Sequence, residues 1–144
     1  MAIVVTALGT AQAKTGIATI TGLTWTSGDV LILITASDQG FGEIIMEWSE
    51  DNSTWHGFDA VDALASNVSN VHAGIYRALT TVAATGNGAV RFNNTTDAKA
   101  ITAYKVTGLA ATPFDKSSTG TGTSTTPSSG QTPTLAQADE LIVG

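Results

Sequence analysis

Residues able to do chemistry are few and scattered along this chain. Asp29, Asp38, Glu43, Glu47, Glu50, Asp51, Asp59 and Asp62 supply carboxylates, and a pair of them flanking a glycosidic bond would give the acid and the base or nucleophile of a glycosidase. Glu43 and Glu47 share one face of an alternating run and make the best pair. The others stand beside turn residues or on the polar side of a strand, where solvation and local capping of backbone N–H groups account for them. His56 and His72 are the only histidines. With Asp59 or Asp62 they offer metal ligands in type, but no i,i+4 spacing supports a site. Serine and threonine are abundant without a Gly-x-Ser-x-Gly elbow, and "GTGTS" has neither a Walker lysine nor a following helix to hold phosphate. Trp48, Trp55, Phe58 and Tyr76 could form a carbohydrate platform, because rings cover the apolar face of a pyranose. Tryptophans flanking a hairpin more often pair across strands or enter the core. The expectation is therefore no catalytic, metal or cofactor-binding residue, no cofactor, and a protein that is not an enzyme.

Composition narrows the class further. At 144 residues the chain is long enough for one domain with a real core. Charged residues are 12 % and hydrophobic ones 42 %, the latter in short runs separated by Gly, Ser, Thr and Asn, as in β-rich proteins. No apolar run approaches the roughly 18 residues of a membrane span. The N-terminal "MAIVVTALGTAQAK" lacks the positive segment of a secretory signal. Cysteine is absent, which removes disulfides and thiolate metal sites. The net charge of -6, with six scattered Lys and Arg, argues against nucleic acid as a partner. Neither a nucleic acid nor a membrane is expected as a partner.

The elements that would position these residues read as strands. "AIVVTAL" (2–8), "GIATITGLTW" (16–25) and "DVLILITAS" (29–37) are β-branched runs bounded by turn residues. "TSGD" joins the second to the third, and the third is apolar at nearly every position, as in a strand covered on both faces. From Glu43 to Ser49 polar and apolar residues alternate, and Asp51, Asn52 and Ser53 supply a turn that leaves Trp48 and Trp55 flanking a hairpin. "DAVDALASNVSNVHA" is the one helical candidate, with Val61, Leu64, Ala65 and Val68 at i, i+3, i+4 and i+7 and Asp59 as cap. It predicts one or two turns at most, or a long loop. "AGIYRALTTV" (73–82), "GAVRFNNT" (88–95) and "AITAYKVTGL" (100–109) return to period two, with "ATGNG" as a hairpin turn signal. About seven or eight short strands predict an all-β fold, an antiparallel β-sandwich or jelly roll. Residues 1–111 would form the sandwich. Residues 112–144 would form a long extended Ser/Thr/Gly-rich C-terminal arm ending in a strand, packed on the same or a neighbouring sandwich.

The residues of that arm carry a resemblance. Val106 to Leu109 match a "V-x-G-L" turn, Asp115 to Gly120 an "Asp-x-Ser-Ser-x-Gly" bend, Pro127 to Gly130 a "Pro-Ser-Ser-Gly" strand and Ala138 to Gly144 an "Ala-Asp-Glu-Leu-Ile-x-Gly" strand. Together with "SGDVLILITAS" and "EWSEDNSTW" upstream, this pattern resembles jelly-roll-like β-sandwich modules of bacteriophage virion proteins and bacterial surface proteins. In such modules further strands follow the one matching Ala138 to Gly144. The resemblance thus implies either a sequence that continues or a strand completed by a neighbouring subunit, with Glu140, Leu141, Ile142 and Val143 as the intersubunit strand. It implies a non-enzymatic structural protein of the virion, made in the host cytoplasm, as capsid decoration or as a fibre or tail component. Its partners would be itself, as a homo-oligomer such as a trimer, and a capsid or tail protein. The alternative is a carbohydrate-binding or adhesive module of a surface protein.

Overall fold

A computed structural model describes residues 2–38, 45–66, 71–95, 97–110, 112–122, 125–126, 128–136 and 140–144. They form nine strands and no helix: β1 (Val4–Ala13), β2 (Ala18–Trp25), β3 (Val30–Asp38), β4 (Met46–Ser49), β5 (His56–Gly57), β6 (Ala60–Ser66), β7 (Val71–Leu79), β8 (Ala84–Phe92) and β9 (Ala98–Thr107). Two antiparallel sheets pack face to face as a β-sandwich, one in the order β1-β9-β3-β7-β6 and the other β2-β8-β4-β5. The pairing is nested. β1 pairs β9 in the first sheet, β2 pairs β8 in the second, β3 pairs β7 in the first and β4 pairs β5 in the second, so the chain alternates between sheets as it folds inward and out again.

Period-two patterning explains the core. Leu31 and Leu33 of β3 enter the space between the sheets with Trp25, Trp48, Tyr76, Val90, Phe92 and Ile101. Val30 and Ile32 face the other way and form a second cluster with Val106, closed over by Ile3, Leu109, Leu141 and Val143. The expectation that this strand is covered on both faces holds, and its outer cover comes from the two ends of the same chain. Each fully buried aliphatic side chain contributes roughly 1.5–3 kcal/mol, so a central strand apolar on both sides is the best anchored element of the sheet.

Where the chain crosses between sheets, polar bonds lace two connections together. Residues 26–29 lead from β2 to β3, and residues 80–83 lead from β7 to β8. Gly28 N donates to Thr80 O at 2.8 Å and Thr80 N to Asp29 O at 2.9 Å. The buried Thr80 hydroxyl reaches the carbonyls of Thr26 and Asp29 at 2.8 and 2.9 Å, and Trp25 Nε1 donates to Val82 O at 2.9 Å. At "TSGD" Asp29 N donates to Thr26 O at 3.2 Å, which closes the turn, and the Asp29 carboxylate accepts from Thr26 N at 2.8 Å.

Two sequence expectations are corrected. The helical candidate contains strand β6, paired with β7. Its register shifts between Val61 and Ala63, so Val61 opposes Tyr76 and Leu64 opposes Gly74. A bulge adds one residue to a strand and brings positions three apart onto one face, which imitates the i,i+3 spacing of a helix. "ATGNG" is not a hairpin turn. It lies inside β8, where its pairing with β2 is irregular, and β7 and β8 belong to different sheets. Gly88 is needed there because a Cβ would stand 2.6 Å from the Trp25 ring and 2.8 Å from Ala84 Cβ.

Candidate functional site

The hairpin from β4 to β5 is built as its residues suggest. Asp51 accepts from Ser53 N at 2.8 Å, Thr54 N at 2.6 Å and Thr54 Oγ1 at 3.0 Å, and from Ser49 Oγ at 2.9 Å. The backbone N–H of Thr54, then Ser53, hold its carboxyl far below the usual carboxylate range. Asn52 takes the left-handed conformation at φ 59°, which asparagine tolerates. Trp48 opposes His56 across the hairpin, and their rings stack at 4.4 Å.

This placement dismantles the four-ring platform. Trp48 is buried and meets Trp25 edge-on at 6.1 Å. Tyr76 is buried in the same core, and burial pushes its hydroxyl pKa up. Phe58 packs against that core from its margin. Trp55 carries the Arg91 guanidinium 3.6 Å above its ring, and Glu47 holds Arg91 there at 2.7 Å. The rings therefore serve the packing of the sandwich, and the four do not present one open surface.

Several of the carboxylates proposed for acid–base work are engaged with the scaffold. Glu47 binds Arg91, Glu50 meets His56 at 3.0 Å, and Asp62 takes Arg77 with both oxygens at 2.9 and 3.1 Å. Asp59 accepts from Leu79 N at 2.8 Å, tying the start of β6 to the end of β7. Glu43 lies outside the described residues, so the Glu43–Glu47 pair has no geometry here. His56 and His72 stand on strands of different sheets, and among the described residues no group of three or more His, Cys, Asp or Glu is placed to hold a metal ion.

A groove that sequence reasoning missed lies on the outer face of the five-stranded sheet. A cavity of about 680 Å³ separates that face from the C-terminal segment. Its floor is apolar, from Ile3, Ile32, Ile75 and Leu109, and its wall from the segment includes Leu141 and Val143. The Asp62–Arg77 pair and the Asp115–Lys116 pair at 3.2 Å border it. The segment reaches the groove by doubling back. Asp115 accepts from Ala136 N at 2.8 Å and Ser118 Oγ donates to Ser129 O at 2.5 Å. The Ala136 N–H, with Lys116 beside it, holds the Asp115 carboxyl below the usual range. Gly120 permits this return, since a Cβ there would stand 2.7 Å from Ser128 O. Residues 140–144 carry no strand within their own chain; Leu141 and Val143 meet the sheet through side chains. The one sequence signal for the groove was the unbroken apolar run of β3, which demanded an outer cover without saying what supplies it.

Against family models, curated proteins and solved structures, the chain matches none.

Proposed function

We propose that the protein is a non-enzymatic structural component of a bacteriophage virion, a capsid decoration or a fibre or tail protein, that works by self-association through its strand edges. The observation that carries this reading is the apolar character of both edges of the five-stranded sheet. β1 and β6 are the edge strands. Val4 is 53 % and Val5 46 % exposed on one, and Val61 55 % and Leu64 44 % exposed on the other. Edges with unpaired backbone groups and large apolar side chains are templates for another chain, and monomers blunt them with charge, proline, bulges or cover; β1 and β6 each carry one bulge but keep these apolar side chains exposed. The nested order of β1·β9, β2·β8, β3·β7 and β4·β5, with β6 added at one edge, supports reading the sandwich as a jelly roll, an architecture used in viral capsids and in lectins. Partners would be copies of the chain and a capsid or tail protein, and the site of action the virion. Glu47, Glu50, Asp51, Asp59 and Asp62 are engaged in turns, ion pairs and backbone hydrogen bonds, which favours a mechanical role over an enzymatic one.

Hydrogen exchange across a protein dilution series tests this directly. Amides of β1 or β6 are expected to gain protection as concentration rises, while those of β3 stay protected throughout. Edge amides that exchange at one rate over the whole series contradict the proposal. The carbohydrate-binding alternative is weakened by the interior positions of Trp48 and Tyr76. Glycan-array binding lost on Trp55→Ala would restore it.

A further inference from the structure

We infer that β1 pairs antiparallel with β1 of a second copy about a two-fold axis at Val5, joining the two five-stranded sheets into one. The inference rests on the self-association proposed above and names its edge and register. The contact is made by residues 3–7, ahead of the bulge between Ala7 and Gly9. Among the described residues β1 has a ladder on one side only, to β9, and Val4, Val5, Thr6 and Ala7 are all exposed.

Three observations select this edge. The first is charge. The chain carries a net charge of -6, yet Val4–Ala13 holds no charged residue, so two copies of β1 meet without repulsion. β6, at the opposite edge, carries Asp62 within the strand. In the other sheet β2 is uncharged, but its large apolar side chains Ile20, Leu23 and Trp25 are buried and its register shifts twice, and β5 has two residues. The second observation is an apolar row that this edge cuts open. Val30 opposes Val106, and Val106 opposes Val5. Val30 and Val106 are buried in the outer cluster, whereas Val5 is 46 % exposed. Opposed residues of an antiparallel pair share a face of the sheet, so at a two-fold axis a residue meets its own copy. Val5 against Val5 carries the row across the junction and sets Val4 of each copy opposite Thr6 of the other. The third is that the edge is held in shape before it pairs. Ile3 packs into the outer cluster, and the Ala2 carbonyl lies so close to Gly108 that a Cβ there would collide with it. A strand already fixed as extended gives up little freedom on association. Pairing of β1 with itself closes as a dimer, whereas β1 against β6 would run on head to tail as a filament.

The chain has no cysteine, so single thiols report the contact. Val5→Cys, Gln12→Cys on the same strand and Val61→Cys on β6 are each treated with a short bismaleimide under native conditions. Val5→Cys is expected to give covalent dimer in several-fold excess over the other two, because two Gln12 positions would stand roughly 45 Å apart in this register. Equal yields from Val5→Cys and Gln12→Cys, dimer from Val61→Cys alone, or dimer only when Val5→Cys and Val61→Cys are mixed would each overturn the inference. Light scattering on the same samples separates the causes: an oligomer without Val5 cross-links leaves self-association standing, and a monomer at every concentration overturns both. As a measurement independent of cysteine, Val5→Lys sets like charges opposite each other and is expected to raise the concentration for half-dissociation about tenfold or more, with Val61→Lys leaving it unchanged. A midpoint that Val5→Lys does not move overturns the pairing.

Discussion

Asp51 organises its hairpin with a single carboxylate. It accepts from two backbone N–H groups and two hydroxyls of residues 49–54, and these donors favour its charged form. Because its folded pKa is depressed, its contribution is present above the unfolded value of about 3.9 and is lost as pH falls through the folded value. Asp51→Ala is therefore expected to lower the melting temperature at pH 7, with the gap to the unaltered protein closing as pH drops below about 3.9. A gap that stays constant down to strongly acidic pH would sink this reading. Two packing substitutions bracket the core. Leu33→Ala, at a fully buried site, should cost about 2–5 kcal/mol. Gly88→Ala should cost about 1–3 kcal/mol by forcing a methyl into the Trp25 ring. Both are read from denaturant midpoints at unchanged slope.

Strands were legible in the residues wherever period two was unbroken, and obscure wherever a bulge broke it. β3 and β9 run without interruption in register with each other, and their alternation is visible in "DVLILITAS" and "AITAYKVTGL". β6 was not visible, because the extra residue between Val61 and Ala63 turned strand spacing into helical spacing. "ATGNG" misled for a related reason: glycine and asparagine mark irregular backbone, and they cannot say whether the chain turns there or merely bulges. The ring platform failed because exposure depends on which sheet faces which, and that is a tertiary fact. The groove was half legible, since β3 required a cover on each face but no local signal tied that cover to Leu141 and Val143. At this scale the lacing between sheets is testable. Thr80→Val keeps the volume and removes the hydroxyl that bonds Thr26 O and Asp29 O. It is expected to cost about 1–2 kcal/mol and to speed hydrogen exchange at both crossings. Exchange unchanged at residues 26–29 would show that the hydroxyl is dispensable.

The whole molecule joins a well-closed interior to edge strands that keep large apolar side chains exposed. Its inner core runs from Ala18 to Ala103, so the sandwich is closed by packing in a chain that has no cysteine for a disulfide. Its outer surface keeps apolar side chains on β1 and β6 and leaves a groove of about 680 Å³ between the five-stranded sheet and the C-terminal segment. Burying such features against other copies stabilises the folded chain by mass action, so thermal stability should rise with protein concentration. Light scattering after size exclusion, on the unaltered chain across micromolar to millimolar concentrations, tests self-association most directly. A discrete oligomer with a mass that is an integral multiple of 14.7 kDa is the predicted result. A single 14.7 kDa species over the whole range, with a melting temperature independent of concentration, would contradict it.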